Sequence, residues 1–470
     1  MDIDLNIDEN IKVLNDKLGV GKTFDINYRY YEIGKRRVSL YYISGLVENL
    51  EIIAVMKKLI TRVDVQEDFF DFVYNQTAHQ DVKILLTIEE VINCVLNGII
   101  VLLFNECKKA LGIATRNYPT RSIAEPDTEK VIRGSHDGFT ENFALNIALI
   151  RRRIKDGNLR NEIYQIGYDS PTYVCLSYIE GICDNEVVKD IQARLQKVKP
   201  KHLIMTDKAL EELLVSQKFN PYPLVRYTER ADIVSVHLYQ GSFAIFVDTS
   251  PSVILAPATI FDHMTHAEEY RQTPLAGTYL RFIRYLGIFL SLFLTPIWLL
   301  LVKNNVDLGA TFSILNPDEQ IKVAIFLQIL AAEVGIEFLR MASIHTPNAL
   351  STAMGLVAGI LIGDIAIKVG VFSIQTVFLV AISAIGTYVT PSYELGLANK
   401  LSKLVFLIVI YFFNWVGFIV AFVSWFVFLA TRKSFKRGYL YPIIPFNFRE
   451  LKKVLFRYSY KEEKNAKTKM

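Results

Sequence analysis

The chain reads as a soluble α/β region of two subdomains, followed by an α-helical transmembrane domain and a short basic tail. Three observations predict this. Composition falls between classes: 51% of the 470 residues are hydrophobic and mean hydropathy is +0.26, too apolar for an ordinary soluble protein and too polar for one immersed in lipid. Up to about Thr265, β-branched and aromatic runs alternate with helical periodicity. From about Thr278, long apolar stretches take over. The expected segments are 1–118 and 119–265 for the α/β subdomains, 266–431 for the membrane domain and 432–470 for a cytoplasmic tail.

In the first region the strand candidates are Val38–Ile43, Ile99–Phe104, Leu111–Thr115, Thr172–Ile179 and Phe243–Val247. Helical spacing covers Glu51–Thr61, Thr87–Leu96, Asn185–Val198 and Asp207–Val215. A polar stretch from Asn117 to Gly134, with Pro119 and Pro126, marks the internal boundary. The acidic start, MDIDLNIDENIKVLNDK, lacks a basic segment followed by an apolar core, so no cleavable signal is expected. Cys94, Cys107, Cys175 and Cys183 show no CxxC spacing and read as reduced, buried thiols.

The search for reaction chemistry returns little. Gly21-Lys22-Thr23 ends like a phosphate loop, but Asp16 stands where its first glycine belongs and no strand precedes it. Asp262, His263, His266, Glu268 and Glu269 offer metal-ligand atoms at helical spacing; a solvated polar junction is the preferred reading. Arg151-Arg152-Arg153, Lys155 and Arg160 follow a helix from Thr140 to Ile150. Without interleaved aromatics they do not suit single-stranded nucleic acid, and a surface for membrane headgroups or another subunit fits better. No catalytic residue, metal site, cofactor or nucleic-acid partner is expected.

Arg281 and Arg284 precede the first apolar run, LGIFLSLFLTPIWLLLV, where Pro296 is a candidate kink. Asn316-Pro317-Asp318-Glu319 is a capped helix start. The helix it opens runs through Arg340 and carries Gln328, Glu333 and Glu337. The two glutamates share a face and either line an ion path or mark an interfacial helix. Then comes TAMGLVAGILIGDIAIKVG (Thr352–Gly370), the stretch taken as central. Gly355, Gly359 and Gly363 form a ladder without side chains, suited to close helix packing in lipid. Asp364 and Lys368, also four apart, are either intramembrane polar residues beside a watery path or an interfacial ion pair. Thr376–Thr390, broken at Pro391, and Leu404–Ala430 complete the set.

After Ala430 the tail holds twelve Lys or Arg against three Glu, which places it in the cytoplasm. With the N-terminal region also inside, the number of crossings is even, four or six, yet five apolar segments are present. Either the helix with Glu333 and Glu337 lies flat, or Leu404–Ala430 folds back near Asn414 and Gly417. The second choice, which is preferred, puts Arg340, Lys400 and Lys403 inside.

Several longer stretches carry a family resemblance: GFTENFALNIALIRRRIKDGNLR (Gly138–Arg160), NPYPLVRYTERAD (Asn220–Asp232), VDTSPSV (Val247–Val253) and EVGIEFLRMASIHTP (Glu333–Pro347). They resemble the A subunits of GerA-type spore germination receptors. LGVGKTFDINYR (Leu18–Arg29) and HAEEYRQTPLAGTYLRFIRYLGIF (His266–Phe289) are most similar to the SpoVAF-like branch of that family. The resemblance implies a homo-oligomeric membrane subunit of the spore inner membrane. It would conduct monovalent cations during germination, act with a small membrane partner and with germination receptor components, and amplify the germinant signal. It implies no catalytic residue. Asp364 departs from the neutral residue expected at its place. The rival readings are a non-conducting scaffold or germinant-sensing subunit, and an ion-coupled transporter, for which no internal half-repeat is found.

Overall fold

The computed structural model describes residues 1–33, 36–60, 69–77, 79, 81–118, 129, 131–215, 217–306, 315, 323–345, 359 and 364–458. They fall into two compact units, Met1–Ser216 with Val225–Pro257, and Gln217–Leu224 with Ala258–Met470. The two α/β subdomains therefore belong to one unit. The tail belongs with the helical unit.

The first subdomain runs α1 (Ile7–Leu18), β1 (Ile26–Ile33), β2 (Arg36–Ile43), α2 (Asn49–Ile60), α3 (Phe69–Gln76), β3 (Val82–Leu85), α4 (Ile88–Leu96), β4 (Ile100–Phe104) and β5 (Ala110–Ile113). The second runs α5 (Phe143–Arg153), β6 (Leu159–Ile166), β7 (Thr172–Ile179), α6 (Asn185–Lys197), α7 (Thr206–Leu214), β8 (Arg226–Thr228), α8 (Ala231–Tyr239), β9 (Phe243–Val247) and β10 (Val253–Ala256). The element order is the same in both. So is the sheet: β1-β2-β4-β5-β3 and β6-β7-β9-β10-β8, with every pairing antiparallel. The unit is an internal duplication.

Its local chemistry repeats as well. Asn6 caps α1 and Asn142 caps α5. One turn on, buried Asn10 accepts from Asp4 N (2.9 Å) and donates to Asp4 O (2.7 Å). Asn146 does the same with Thr140 N (2.8 Å) and Thr140 O (2.6 Å). Gly45 after β2 and Gly181 after β7 share φ of +84°, a left-handed turn that glycine adopts without cost. β4 is apolar throughout because both faces are covered: Val101 and Leu103 enter one core cluster, Ile100, Leu102 and Phe104 the other.

The basic stretch after α5 is divided: Arg152, Arg153 and Lys155 are exposed, whereas Arg151 and Arg160 are buried inside the unit. Arg151 is fully buried and grips buried Asp25 through Nε (2.7 Å) and Nη2 (3.1 Å). It also donates to the Asp156 and Leu159 carbonyls (3.0 and 3.1 Å). Arg153 pairs with Asp137, Arg160 with Glu180, and Lys155 donates to Asn97 (2.6 Å). Thr23, from the discarded phosphate-loop candidate, bonds the same Asp25. Asp25 and Arg151 thus tie the duplicated halves together.

The helical unit contains α9 (Ala267–Arg271), α10 (Pro274–Lys303), α11 (Ile325–His345), a short turn at Ala366–Lys368, α12 (Ile374–Val389), α13 (Tyr393–Thr431), the hairpin β11 (Lys433–Ser434) and β12 (Arg437–Gly438), and α14 (Phe448–Leu455). α10 starts on a Thr273 cap with Pro274 at its first turn and continues through Pro296. Among the described residues two helices, α10 and α13, are long and apolar enough to cross a membrane. Leu292, Phe293, Leu299, Ile329, Leu379 and Phe406 bring four helices into one core.

α13 is not straight. At Asn414 the backbone leaves the helical region (φ 51°, ψ −134°). The Phe406 ring lies 6.1 Å from Phe418 and 6.3 Å from Trp425, whereas residues 406 and 425 on a straight helix stand about 28 Å apart. The two halves, 393–413 and 415–431, therefore fold back on each other. A Cβ on Gly417 would come within 2.6 Å of the Val409 carbonyl, so only glycine lets them meet there.

Close approach of small residues is found where α10 crosses α12. A Cβ on Gly386 would sit 2.2 Å from the Gly287 carbonyl oxygen and 3.2 Å from Ser291 Cβ. Gly386→Ala is expected to cost about 1–3 kcal/mol through overpacking, read as a lower unfolding midpoint in detergent. Of the glycine ladder, Gly355 and Gly363 lie outside the described residues, as does the 316–319 helix start. Among the described residues nothing lies within 4 Å of a Cβ on Gly359, so Gly359→Ala is the matched control and should shift the midpoint little.

The polar junction before α10 is buried rather than solvated. Glu269 is fully buried between Arg281 (2.8 Å) and Arg284, His263 is buried, and His266 caps α9. Among the described residues no cluster of three His, Cys, Asp or Glu is arranged to hold a metal. The four cysteines are free thiols, with Cys175 and Cys183 buried and Cys94 and Cys107 half-buried.

Candidate functional site: polar layers along one helix

Two contacts mark the ends of the helical unit. At one end Lys303, the last residue of α10, donates to the Tyr411 carbonyl just before the fold-back. The Phe326 ring, at the start of α11, stacks on Tyr411 at 4.3 Å. At the other end Arg281 donates to the Lys453 and Val454 carbonyls of α14 (2.9 and 2.8 Å).

Between these ends, α11 carries three polar side chains inside an apolar bundle, each matched by a partner on another helix. Nearest the Lys303 end, buried Gln328 accepts from Ser373 N (2.8 Å) and from the Thr376 hydroxyl (3.1 Å). Next, Glu333 accepts from Lys403 of α13. Both side chains are shielded, at 5% and 0% exposure. Lys403 also donates to Ser383 Oγ (3.0 Å), which donates to the Ser291 carbonyl (3.1 Å). One turn further, Glu337 accepts from Lys400 and from Arg340 Nε (2.9 Å). The Arg340 guanidinium stands 4.7 Å over the Tyr393 ring. Every charge in this ladder has an opposite charge beside it.

The glutamates share a face, as the sequence spacing requires, but that face meets lysines rather than open space. Lys400 and Lys403, three residues apart on one side of α13, are the complement. That complementarity of spacings is the signal that marks them. Asp364 and Lys368 do not join the ladder. They pair with each other at 2.7 Å, with side chains 63% and 71% exposed. Gly359 is likewise exposed.

A second polar cluster closes the α13 hairpin near its base. Tyr222, from the 217–224 segment, accepts from Trp425 Nε1 (2.6 Å) and lies 2.8 Å from Ser402 Oγ and 3.4 Å from Asn399 Oδ1. Burial pushes its phenol pKa up, against the hydrogen bonds to Ser402 and Trp425. It stays neutral and holds both halves of α13 together.

Comparison with known proteins gives the context for this arrangement. Stage V sporulation protein AF of Bacillus subtilis is 42% identical over 452 residues, spanning 96% of this chain and 92% of that protein. Spore germination protein KA of Bacillus subtilis is 30% identical over 454 residues, spanning 95% and 83%. A solved structure, the N-terminal domain of the A subunit of the Bacillus megaterium spore germinant receptor GerK3, is 27% identical. It aligns with a TM-score of 0.42 over 55% of this chain and 98% of that one. The family profile described as Bacillus/Clostridium GerA spore germination protein matches residues 12–469. The chain belongs to the GerA family of spore germination proteins.

Proposed function

We propose that this chain is a membrane subunit of an oligomeric cation channel that acts in spore germination at the spore inner membrane. One observation carries the reading: charge lies inside an apolar helical bundle whose outer surface is also apolar. Leu286, Phe289, Ile385, Val416, Ile419 and Val423 are all exposed, and only 22% of the most apolar window of α13 is buried. An exposed belt of this kind suits hydrocarbon. Ionisable residues in such surroundings face a bundle interior or a watery path.

The contacts within the bundle support a reading of its topology. α10 runs from the Arg281 end to the Lys303 end, α11 returns from Phe326 to Arg340, and Ser373, the cap of α12, sits beside Gln328. α12 and the two halves of α13 then alternate. With both chain ends on one side the number of crossings is even, four or six. The basic tail makes that side cytoplasmic.

In this reading Glu333 and Glu337 hold α11 against α13 instead of lining the path. Asp364 and Lys368 are exposed on a single chain, and a bilayer tolerates them only with water or a neighbouring subunit beside them. That favours a homo-oligomer in which Asp364 faces the conducting route. A small membrane partner and germination receptor components remain the expected associates. The pairing of both ladder glutamates with bases favours a second reading, a non-conducting scaffold.

Reconstitution of the purified chain in liposomes separates the two. Potassium flux is expected, and Asp364→Asn should move the reversal potential towards that of a less cation-selective path. Absence of flux from well-incorporated protein would establish the scaffold instead.

A further inference from the structure

We propose that α14 and its flanks form an in-plane anchor that binds the anionic lipid surface on the cytoplasmic side. This rests on the membrane reading above. The first observation is composition. Between Phe446 and Tyr458 stand Arg449, Lys452, Lys453 and Arg457 against one acid, Glu450. Phe446 (69%), Phe448 (59%) and Phe456 (45%) are exposed. On the helix Phe448, Leu451 and Leu455 share one face, while Arg449 and Lys453 lie opposite. Lys452 reaches over the Phe448 ring at 4.6 Å, the way a cation stands beside a ring at a lipid interface.

The second observation is level, and it does not depend on the composition of α14. The helix is docked through its backbone and through the side chains of Phe456 and Arg457. Arg281 satisfies the Lys453 and Val454 carbonyls, Tyr285 OH donates to the Val454 carbonyl (2.9 Å), and Arg457 N donates to Thr278 Oγ1 (3.1 Å). A cation at a helix C-terminus caps its free carbonyls. These contacts, with the Phe282–Phe456 ring contact at 5.8 Å, place α14 beside residues 278–285 of α10. From there to Lys303 the helix rises about 30 Å, the thickness of the hydrocarbon layer. α14 therefore lies where lipid phosphates begin. Arg457 also donates to the Gln272 and Tyr270 carbonyls, and Lys453 pairs with Glu450 (2.6 Å). Exposed Phe446 and Phe448, with Lys452 over the Phe448 ring, are left to the lipid. A short amphipathic helix that joins apolar and basic groups is suited to an anionic interface.

The test uses the full chain in nanodiscs of phosphatidylcholine with and without phosphatidylglycerol. The native cysteines are replaced by serine, and a spin label is placed at Phe448→Cys or, as a control, Phe289→Cys. At Phe448 collisions with oxygen should exceed those with a water-soluble nickel chelate, at a shallower depth than Phe289, and immersion should deepen with phosphatidylglycerol. Lys452→Gln with Lys453→Gln should weaken the immersion equilibrium in phosphatidylglycerol discs by about fivefold per charge. A Phe448 label open to nickel, beside a Phe289 label in lipid, overturns the anchor and leaves the membrane reading standing. A Phe289 label open to nickel overturns both. Shielding of Phe448 from both reagents would mean that protein covers the helix, and an absence of phosphatidylglycerol dependence would remove the anionic surface; either result overturns the proposal.

Discussion

Lys403→Met is expected to destabilise the helical unit by about 3–5 kcal/mol, because it strands Glu333 as a buried, unpaired carboxylate. The side chain that remains fits the space, so the loss is electrostatic. Glu333→Gln should do comparable damage from the other side, leaving buried Lys403 with neutral acceptors, the amide oxygen and the Ser383 hydroxyl, in place of its counter-charge. Combining the two changes removes both charges and should recover most of the loss. The measurement is a double-mutant cycle on the unfolding midpoint in detergent, with a coupling energy well above that of an exposed pair. Asp364→Asn is the reference, since an exposed ion pair contributes roughly 0–1 kcal/mol. Single variants that match the parent would show that water reaches Glu333 and that the ladder is not closed.

The second large effect lies in the duplicated unit. Asp25→Asn leaves Arg151 fully buried without its counter-charge and is expected to cost about 3–5 kcal/mol. Burial by itself raises the Asp25 carboxyl, but the charge and hydrogen bonds of Arg151, with Thr23 and Asn161, outweigh it and hold the pKa below the ordinary 3.8. A carboxylate depressed in the folded state stabilises fully above its unfolded pKa, and that stabilisation drains away as pH falls through the folded value. The parent should therefore keep this contribution down to about pH 4 and lose it below. The difference between parent and Asp25→Asn should shrink over that same window. Hydrogen exchange of peptides covering residues 144–161, followed against pH in the full chain, reads it locally. A difference that stays constant to pH 2 would mean the pair contributes nothing.

What could be read from sequence follows a physical line. β7 and β9 match their expected spans residue for residue, and β2, β4 and β5 nearly so. Central strands are continuous apolar runs closed by turn residues. β1 (INYRYYEI) and β6 (LRNEIYQI) are edge strands whose outer residues are polar, so no such run announces them. α1 is hidden by its acidic outer face. The duplication escapes for a related reason: its shared features are caps, a buried asparagine and a turn glycine rather than a shared apolar pattern.

At the site, the spacing of Glu333 and Glu337 was legible, and the fold-back of α13 followed from counting crossings. The pairing with Lys403, 70 residues on, was not, because it depends on which helices meet. The basic stretch after α5 misled in the same way. Its principal partner, Asp25, lies 126 residues upstream, and a run of arginines looks solvated until that partner is found.

The repeated sheet has a consequence for how the chain behaves in crowded surroundings. Each copy ends in two outer strands, β1 with β3 and β6 with β8, so the unit carries four strand margins at which a foreign strand could add. Long, flat, apolar margins invite such addition. Here β3 and β8 are only four and three residues long. The longer pair carries charge: exposed Arg29 and Glu32 on β1, half-buried Glu162 on β6. Doubling the fold doubled the exposure to unwanted polymerisation, and shortness on one side with charge on the other keeps the copies apart.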